Sequence, residues 1–165
     1  MQLIAASPDD LPAIHALIEA AYRGDSARRG WSHEADLLDD QRTDLDELAA
    51  FIADPRQRLL WFDDGTGSAA CVALTDKSQA LTYLGLLTVD PARQAGGLGK
   101  QLLAAAEDQA RTVFAANRIE MTVIAQRGEL IAWYERRGYG RTGERRPFPV
   151  DGRDDLEFVV LEKQL

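Results

Sequence analysis

The stretch Thr88-Val89-Asp90-Pro91-Ala92-Arg93-Gln94-Ala95-Gly96-Gly97-Leu98-Gly99-Lys100-Gln101-Leu102-Leu103 decides the fold. It reads as the end of an apolar strand (Leu81 to Val89), a proline turn, a glycine cluster and the start of a long helix. Leu98, Leu102, Ala105, Ala106, Ala110, Val113 and Phe114 form that helix's expected inner face. The strand is the most apolar of the chain and is expected at the centre of the sheet, with a bulge or a close backbone approach at Gly85. A helix start presents unpaired amides and about half a positive charge, and glycines there clear side chains away from an anion. Lys100 in the first turn opposes the helix dipole, which makes sense if an anion sits beside it.

Reading outward, Gln2 to Ala5 is a short first strand, and Ser7-Pro8-Asp9-Asp10 opens a helix. Leu11, Ile14, Leu17, Ile18 and Ala21 give that helix an apolar face as far as about Tyr22. A second helical region runs from Trp31 to Ala53, broken near Asp39-Asp40, with Leu37, Leu38, Leu45, Leu48, Phe51 and Ile52 as its buried side. Strands at Arg58–Phe62 and Ser68–Thr75 flank a hairpin turn at Asp63 to Gly67. Beyond the long helix come a strand at Ile119–Ile124, a helix at Glu129–Arg137 stopped by Gly138, and closing strands near Tyr139–Glu144 and Leu156–Leu161. The fold class is α/β, one mixed and mostly antiparallel sheet of about seven strands flanked by about four helices.

The chain has 165 residues, and 19 Lys and Arg against 27 Asp and Glu leave a net charge of −8. At about 100–200 residues per domain, residues 1–165 form a single domain. The acidic balance argues against a broad nucleic-acid or anionic-membrane surface. The lone Cys71 excludes an internal disulfide and reads as a buried small hydrophobe, and with only His15 and His33 no metal site is expected. The N-terminal MQLIAASPDD lacks the basic and apolar regions of a signal peptide. No apolar run approaches the roughly 20 residues that span a bilayer. A soluble cytoplasmic protein is expected.

Two phosphate-binding motifs fail on spacing. The nucleoside triphosphate loop needs a glycine five residues before Gly99, where Gln94 stands, and a Ser or Thr where Gln101 stands. The dinucleotide fingerprint needs a third glycine where Leu102 stands. What remains is Gln94-x-x-Gly97-x-Gly99, preceded by Val89-Asp90-Pro91. This run resembles the coenzyme-A loop of the GCN5-related N-acetyltransferase (GNAT) family, whose signature is [QR]-x-x-G-x-[GA] between the fourth strand and third helix. Trp133-Tyr134-Glu135-Arg136-Arg137-Gly138-Tyr139 is similar to a second family signature, Y-E-x-x-G-[FY], about 40 residues further on. The likeness is strong from about Leu81 to Thr142.

The resemblance implies a GNAT-like fold whose fourth and fifth strands splay apart around acetyl-coenzyme A, the co-substrate. Leu87, Thr88 and Val89 would pair with the pantetheine arm. Backbone amides from Gln94 through Ala95, Gly96, Gly97, Leu98 and Gly99 to Lys100 would wrap the pyrophosphate. Tyr134 would face the thioester sulfur. Many family members carry Asn seven residues before that tyrosine, where this chain has Arg127, whose guanidinium could reach a phosphate instead. The Arg136-Arg137 run reads as a solvated face, with contact to the 3′-phosphate as its functional alternative.

The implied reaction is direct attack of a primary amine on the acetyl thioester. A lysine-like amine with a pKa near 10.4 is neutral in only about one molecule in 2,500 at pH 7, a deficit of roughly 4.6 kcal/mol. A base is therefore worth seeking, and Glu34 is the first candidate, with Asp36, Glu120 and a water chain as alternatives. Trp31 and Glu34 are expected in the acceptor pocket. The acceptor is a small-molecule or peptide amine, and the net charge favours a cationic one such as a polyamine, an aminoglycoside or a lysine side chain. A non-catalytic acyl-coenzyme-A sensor, a toxin-type acetyltransferase acting on aminoacyl-tRNA, and O-acetylation stay open as rivals. Exposed sheet edges make a homodimer an expectation.

Overall fold

The computed structural model describes residues 1–23, 34, 37–38, 41–63, 65 and 67–165. Strands β1 (Ile4–Ala5), β2 (Gln57–Asp63), β3 (Ser68–Asp76), β4 (Leu81–Val89), β5 (Arg118–Ile124), β6 (Gly140–Pro147) and β7 (Glu157–Gln164) form one sheet. Its order is β1-β2-β3-β4-β5-β7-β6, so the apolar β4 is the middle strand, as its composition predicts. Every neighbouring pair is antiparallel except β4 and β5, which run parallel. Helices α1 (Leu11–Tyr22), α2 (Leu45–Ala53), α3 (Leu98–Phe114) and α4 (Gly128–Glu135) cover the sheet.

Strand alternation sorts the core into two layers. On one face Leu59, Cys71 and Ala73 pack against Leu11, Ile14, Leu17 and Ile18 of α1 and Leu48 of α2. On the other, Leu60, Val72 and Leu74 pack against Leu102, Leu103, Ala106 and Ala110 of α3, with Ile131 and Tyr134 of α4. Ile14 and Ile18 are fully buried, each contributing about 2 kcal/mol relative to exposure. No helix among the described residues is long and apolar enough to cross a membrane.

Three expectations need correction. Val113 and Leu45, read as inward-facing, are both 45% exposed, because they fall at the margins of apolar stripes that the sheet does not cover. The inner face of α3 instead includes Leu103 and Glu107, both buried. The β4 bulge lies one residue beyond Gly85. Cys71 pairs with Thr88 and Ala73 with Gly85, which leaves Leu86 and Leu87 opposite Val72, and Leu86 takes φ +48. What approaches Gly85 is a side chain and not another backbone, since a Cβ there would lie 3.2 Å from the Tyr83 ring. The first part of the second helical region, with its break at Asp39-Asp40, lies outside the described residues.

Glu107 is a charge on the core side of α3. Lys163 Nζ donates to its Oε1 and Oε2 at 2.9 and 2.8 Å, and the Tyr139 hydroxyl donates to Oε1 at 3.0 Å. This network ties α3 to β7 and to the turn after α4. Removing one partner of a buried ion pair leaves the other uncompensated, so Lys163→Met is expected to cost about 3 kcal/mol. Urea denaturation followed by circular dichroism checks the figure, and a loss within about 0.5 kcal/mol would mean that the pair contributes only as a surface contact does.

Candidate functional site

The functional region begins where β4 and β5 part. They pair only through Leu81–Arg118, Thr82–Ile119 and Tyr83–Glu120, although β4 has nine residues and β5 seven. Past Tyr83 the two strands no longer share a ladder, and their backbone groups must find other partners. Hydroxyls serve two of the carbonyls. Thr88 Oγ1 donates to Leu86 O at 2.8 Å, and the Tyr22 hydroxyl, from the last residue of α1, donates to Leu87 O at 2.9 Å. Desolvation raises the Tyr22 pKa, which keeps it a donor.

A cavity opens beside the end of β4, lined by Leu87, Thr88, Val89, Gln94, Gly97, Gly99, Lys100, Arg127 and Tyr134 among the residues expected from sequence. Gly96 and Leu98 belong to the same stretch without lining the cavity. The turn is closed by Asp90, whose Oδ1 accepts from Ala92 N at 2.9 Å and whose carbonyl accepts from Arg93 N at 2.8 Å. Gly97 then caps α3 at φ +76, a left-handed conformation that a β-branched residue rarely adopts. The first intrahelical bond is Gln101 N to Gly97 O at 3.3 Å, so the amides of Leu98, Gly99 and Lys100 lack helical acceptors. A Cβ at Gly96 or Gly97 would meet no atom within 4 Å, and the mouth of the cavity stays open there.

The opposite wall comes from α4. The Arg137 guanidinium stacks 3.6 Å over the Trp133 ring, its Nη1 donates to Trp133 O at 2.6 Å, and its Nε is buried without a partner. An orphaned guanidinium donor, three helix-start amides and a bare glycine turn make a donor set that fits phosphate groups. The sequence alone leaves Arg137 between a solvated charge and a 3′-phosphate contact. The signal for its actual position is its i,i+4 spacing from Trp133, which stacks the two side chains on one helix face.

A second cavity, of about 490 Å³, lies on the other side of Tyr134. Arg23, Glu34, Arg42 and Glu47 stand in its wall with Tyr83, Met121, Thr122, Phe148, Val150 and Phe158. Glu34 is gripped at both oxygens: Arg23 Nη1 donates to Oε2 at 2.6 Å and Arg127 Nη1 to Oε1 at 3.3 Å. Arg127 thus lines both cavities and binds Glu34. Trp31 and Asp36 lie outside the described residues. Glu120 is buried and held by Arg146 through two contacts of 3.2 Å, away from both cavities. Tyr22, Arg23, Arg42, Leu130 and Trp133 are site residues that the sequence reading missed.

Residues 11–139 match the family model described as the acetyltransferase (GNAT) family. The chain belongs to that family and is an N-acetyltransferase by class. Among solved structures, a ribosomal-protein-alanine N-acetyltransferase from Brucella melitensis is 18% identical, with all of both chains covered and a TM-score of 0.73. A spermidine N-acetyltransferase variant from Vibrio cholerae is also 18% identical at a TM-score of 0.73, covering 99% of this chain and 95% of that one. An acetyltransferase from Salmonella typhimurium solved with acetyl-coenzyme A is 20% identical, covering 100% and 94% at a TM-score of 0.72. No curated protein matches the chain.

Cys71 is fully buried in the layer under α1, and desolvation pushes its thiol up to about 12. At pH 8 roughly one thiol in ten thousand would be ionised, so the thiolate that reacts is nearly absent. The native protein is therefore expected to show no reaction with an aromatic disulfide reagent at pH 8 over an hour, and one equivalent after denaturation. Rapid native labelling would place Cys71 in a segment that opens readily.

Proposed function

We propose that the chain transfers the acetyl group of acetyl-coenzyme A directly to a primary amine of a small molecule or peptide. The observation that carries this reading is that the two cavities meet at Tyr22, Leu87, Arg127, Leu130 and Tyr134. One side carries donors suited to phosphate, the other a mixed apolar and charged wall suited to an acceptor. The spermidine and ribosomal-protein-alanine enzymes it resembles are named for amines of both kinds. The cytoplasm is the proposed compartment, and residues 1–165 the working domain.

Acetyl-coenzyme A, when bound, supplies an acyl carbon activated as a thioester. In this reading the amides of Leu98, Gly99 and Lys100 and the Arg137 guanidinium receive the phosphates, while β4 from Leu87 to Val89 offers its edge to the pantetheine arm. The amine lone pair forms the N–C bond, the C–S bond breaks, and its electron pair leaves on sulfur. A backbone amide at the Leu87 bulge receives the oxyanion.

Tyr134 serves the sulfur. Burial raises its pKa above the ordinary tyrosine range, so it stays protonated throughout the working pH range. A thiol pKa of about 8.5 makes complete proton transfer from even an unshifted tyrosine uphill by roughly 2 kcal/mol. Raising the tyrosine pKa increases that cost, and Tyr134 acts as a hydrogen-bond donor to developing charge. Glu34 has both oxygens engaged by guanidinium N–H groups, which compete for the lone pairs a base would use. We therefore assign Glu34 to holding the acceptor wall, and the amine proton to water in the acceptor cavity.

Calorimetric titration with acetyl-coenzyme A tests the first half of this reading. Gly97→Val is expected to weaken binding at least about tenfold, since a β-branched side chain would project toward the phosphate cradle at a left-handed φ. Unaltered affinity in a folded variant would move the phosphate site elsewhere. Tyr134→Phe tests the second half. Loss of one donor to developing charge is expected to lower kcat about 10- to 100-fold while the dissociation constant for acetyl-coenzyme A changes less than about threefold. Thiol release over an amine panel reads the first number. Tight binding with no thiol release from any amine would instead identify a sensor.

A further inference from the structure

Arginines outnumber carboxylates among the described residues that line the acceptor cavity. Among its described lining residues, Arg23, Arg42 and Arg127 face two carboxylates, Glu34 and Glu47, in a chain whose net charge is −8. Glu34 is already bound by Arg23 and Arg127, whose side chains are 9% and 10% exposed. Glu47, in the first turn of α2, is engaged by the segment just before that helix: its Oε2 accepts from the Thr43 hydroxyl at 2.9 Å.

Arg42 is different. Its side chain is 36% exposed, and it makes only a long ion pair with Glu34, Nε to Oε2 4.0 Å, beyond hydrogen-bond distance. Its guanidinium sits 5.4 Å from the centroid of the Tyr22 ring, the same tyrosine that borders both cavities. The backbone beneath it is anchored. Glu19 Oε1 accepts from Arg42 N at 2.8 Å and Thr43 N at 3.0 Å, while Thr43 O receives Gln41 Nε2 at 2.6 Å and faces His15 Nε2 at 3.0 Å. The chain thus presents a guanidinium from a fixed backbone at one ring's distance from the cavity junction. Ile124, Phe148, Val150 and Phe158 give the same cavity apolar lining.

A planar fork of N–H donors matches a carboxylate, and a cationic acceptor would need the reverse charge excess. We infer that the acceptor is a primary amine that also carries a carboxylate and an apolar body, with Arg42 as the specificity-determining residue that receives the carboxylate. This rests on the acetyl-transfer reading above. It replaces the preference for a polyamine, an aminoglycoside or a lysine side chain, which came from net charge alone.

The test compares matched amines with acetyl-coenzyme A: leucine and phenylalanine, their carboxamides, the corresponding decarboxylated amines, and spermidine. Specificity constants are expressed per neutral amine. The acids are expected to exceed the carboxamides by at least about tenfold, mainly through KM, the scale of a charge-assisted hydrogen bond. Arg42→Gln should bring the acid-to-amide ratio to about threefold or less, and Arg42→Lys should restore part of it. A wild-type preference for amide or spermidine overturns the inference while leaving acetyl transfer intact, as does an acid preference that survives Arg42→Gln. If no amine turns over, the functional reading fails by itself, and calorimetry with N-acetyl-leucine against its amide, in the presence of coenzyme A, still decides the acceptor chemistry. Equal affinity there would overturn it.

Discussion

Everything at the site depends on a ladder that stops early. β4 and β5 are held parallel by three residue pairs and then diverge, in the middle of a sheet whose other neighbours stay paired along most of their length. An interior strand edge cannot be left without hydrogen-bond partners cheaply, since each buried unsatisfied group costs about 1–3 kcal/mol. The molecule meets part of that demand with its own hydroxyls, Tyr22 on Leu87 O and Thr88 on Leu86 O, and the β4 bulge turns Leu86 into a left-handed conformation to allow it. The slot that remains is the obvious place for an extended ligand whose amides can act as the missing strand.

Placing the slot beside the start of α3 follows from connectivity. β4 leads through one tight turn directly into the helix, so the open strand edge and the unpaired helix amides face the same space. Gly97 makes the junction sharp enough for this, and Asp90 fixes the turn before it. Helix α4 then closes the cavity from the other side, because Trp133, Tyr134 and Arg137 line one surface while Ile131 packs inward. The Trp133–Tyr134 and Tyr134–Tyr139 edge contacts, at 5.0 and 5.7 Å between centroids, hold the ring of Tyr134, which lines both cavities.

The turn on the proposed phosphate side was legible in the sequence because it is local: Pro91 to Lys100 is one continuous stretch, and its proline and glycines carry their conformational meaning with them. The order of strands and helices was legible for the same reason. The acceptor side was not. Arg23 follows α1, Glu34 and Arg42 belong to the segment before α2, and Arg127 precedes α4; only tertiary packing brings them together. Nothing in the spacing of Arg127 and Glu34 signals an ion pair between residues so far apart in the chain. Periodicity also overreached at Leu45 and Val113, since an apolar residue at a helical interval is buried only where another element covers it. Gly85 drew attention to the right part of β4, yet the positive φ that makes the bulge falls on Leu86, a residue with no such signature.

In the proposed reading, Arg42 and its neighbours weigh more on the choice of acceptor than net charge does. A net charge of −8 sets the field far from the surface, which salt screens over about 8 Å at physiological ionic strength. It can speed the approach of cations without saying where they bind. Inside a cavity the nearest groups dominate, because screening by mobile ions is weak there and each charge acts at contact distance. Arg23 and Arg127 offset most of their desolvation cost by sharing Glu34, and that arrangement fixes Glu34 so that it cannot turn to meet an ammonium group. The buried pair thereby determines the character of the wall: it uses up the carboxylate best placed to bind a cation and leaves Arg42 facing the cavity. The proposed selectivity toward an anionic group would follow from how Glu34 is employed, in a protein whose net charge is −8.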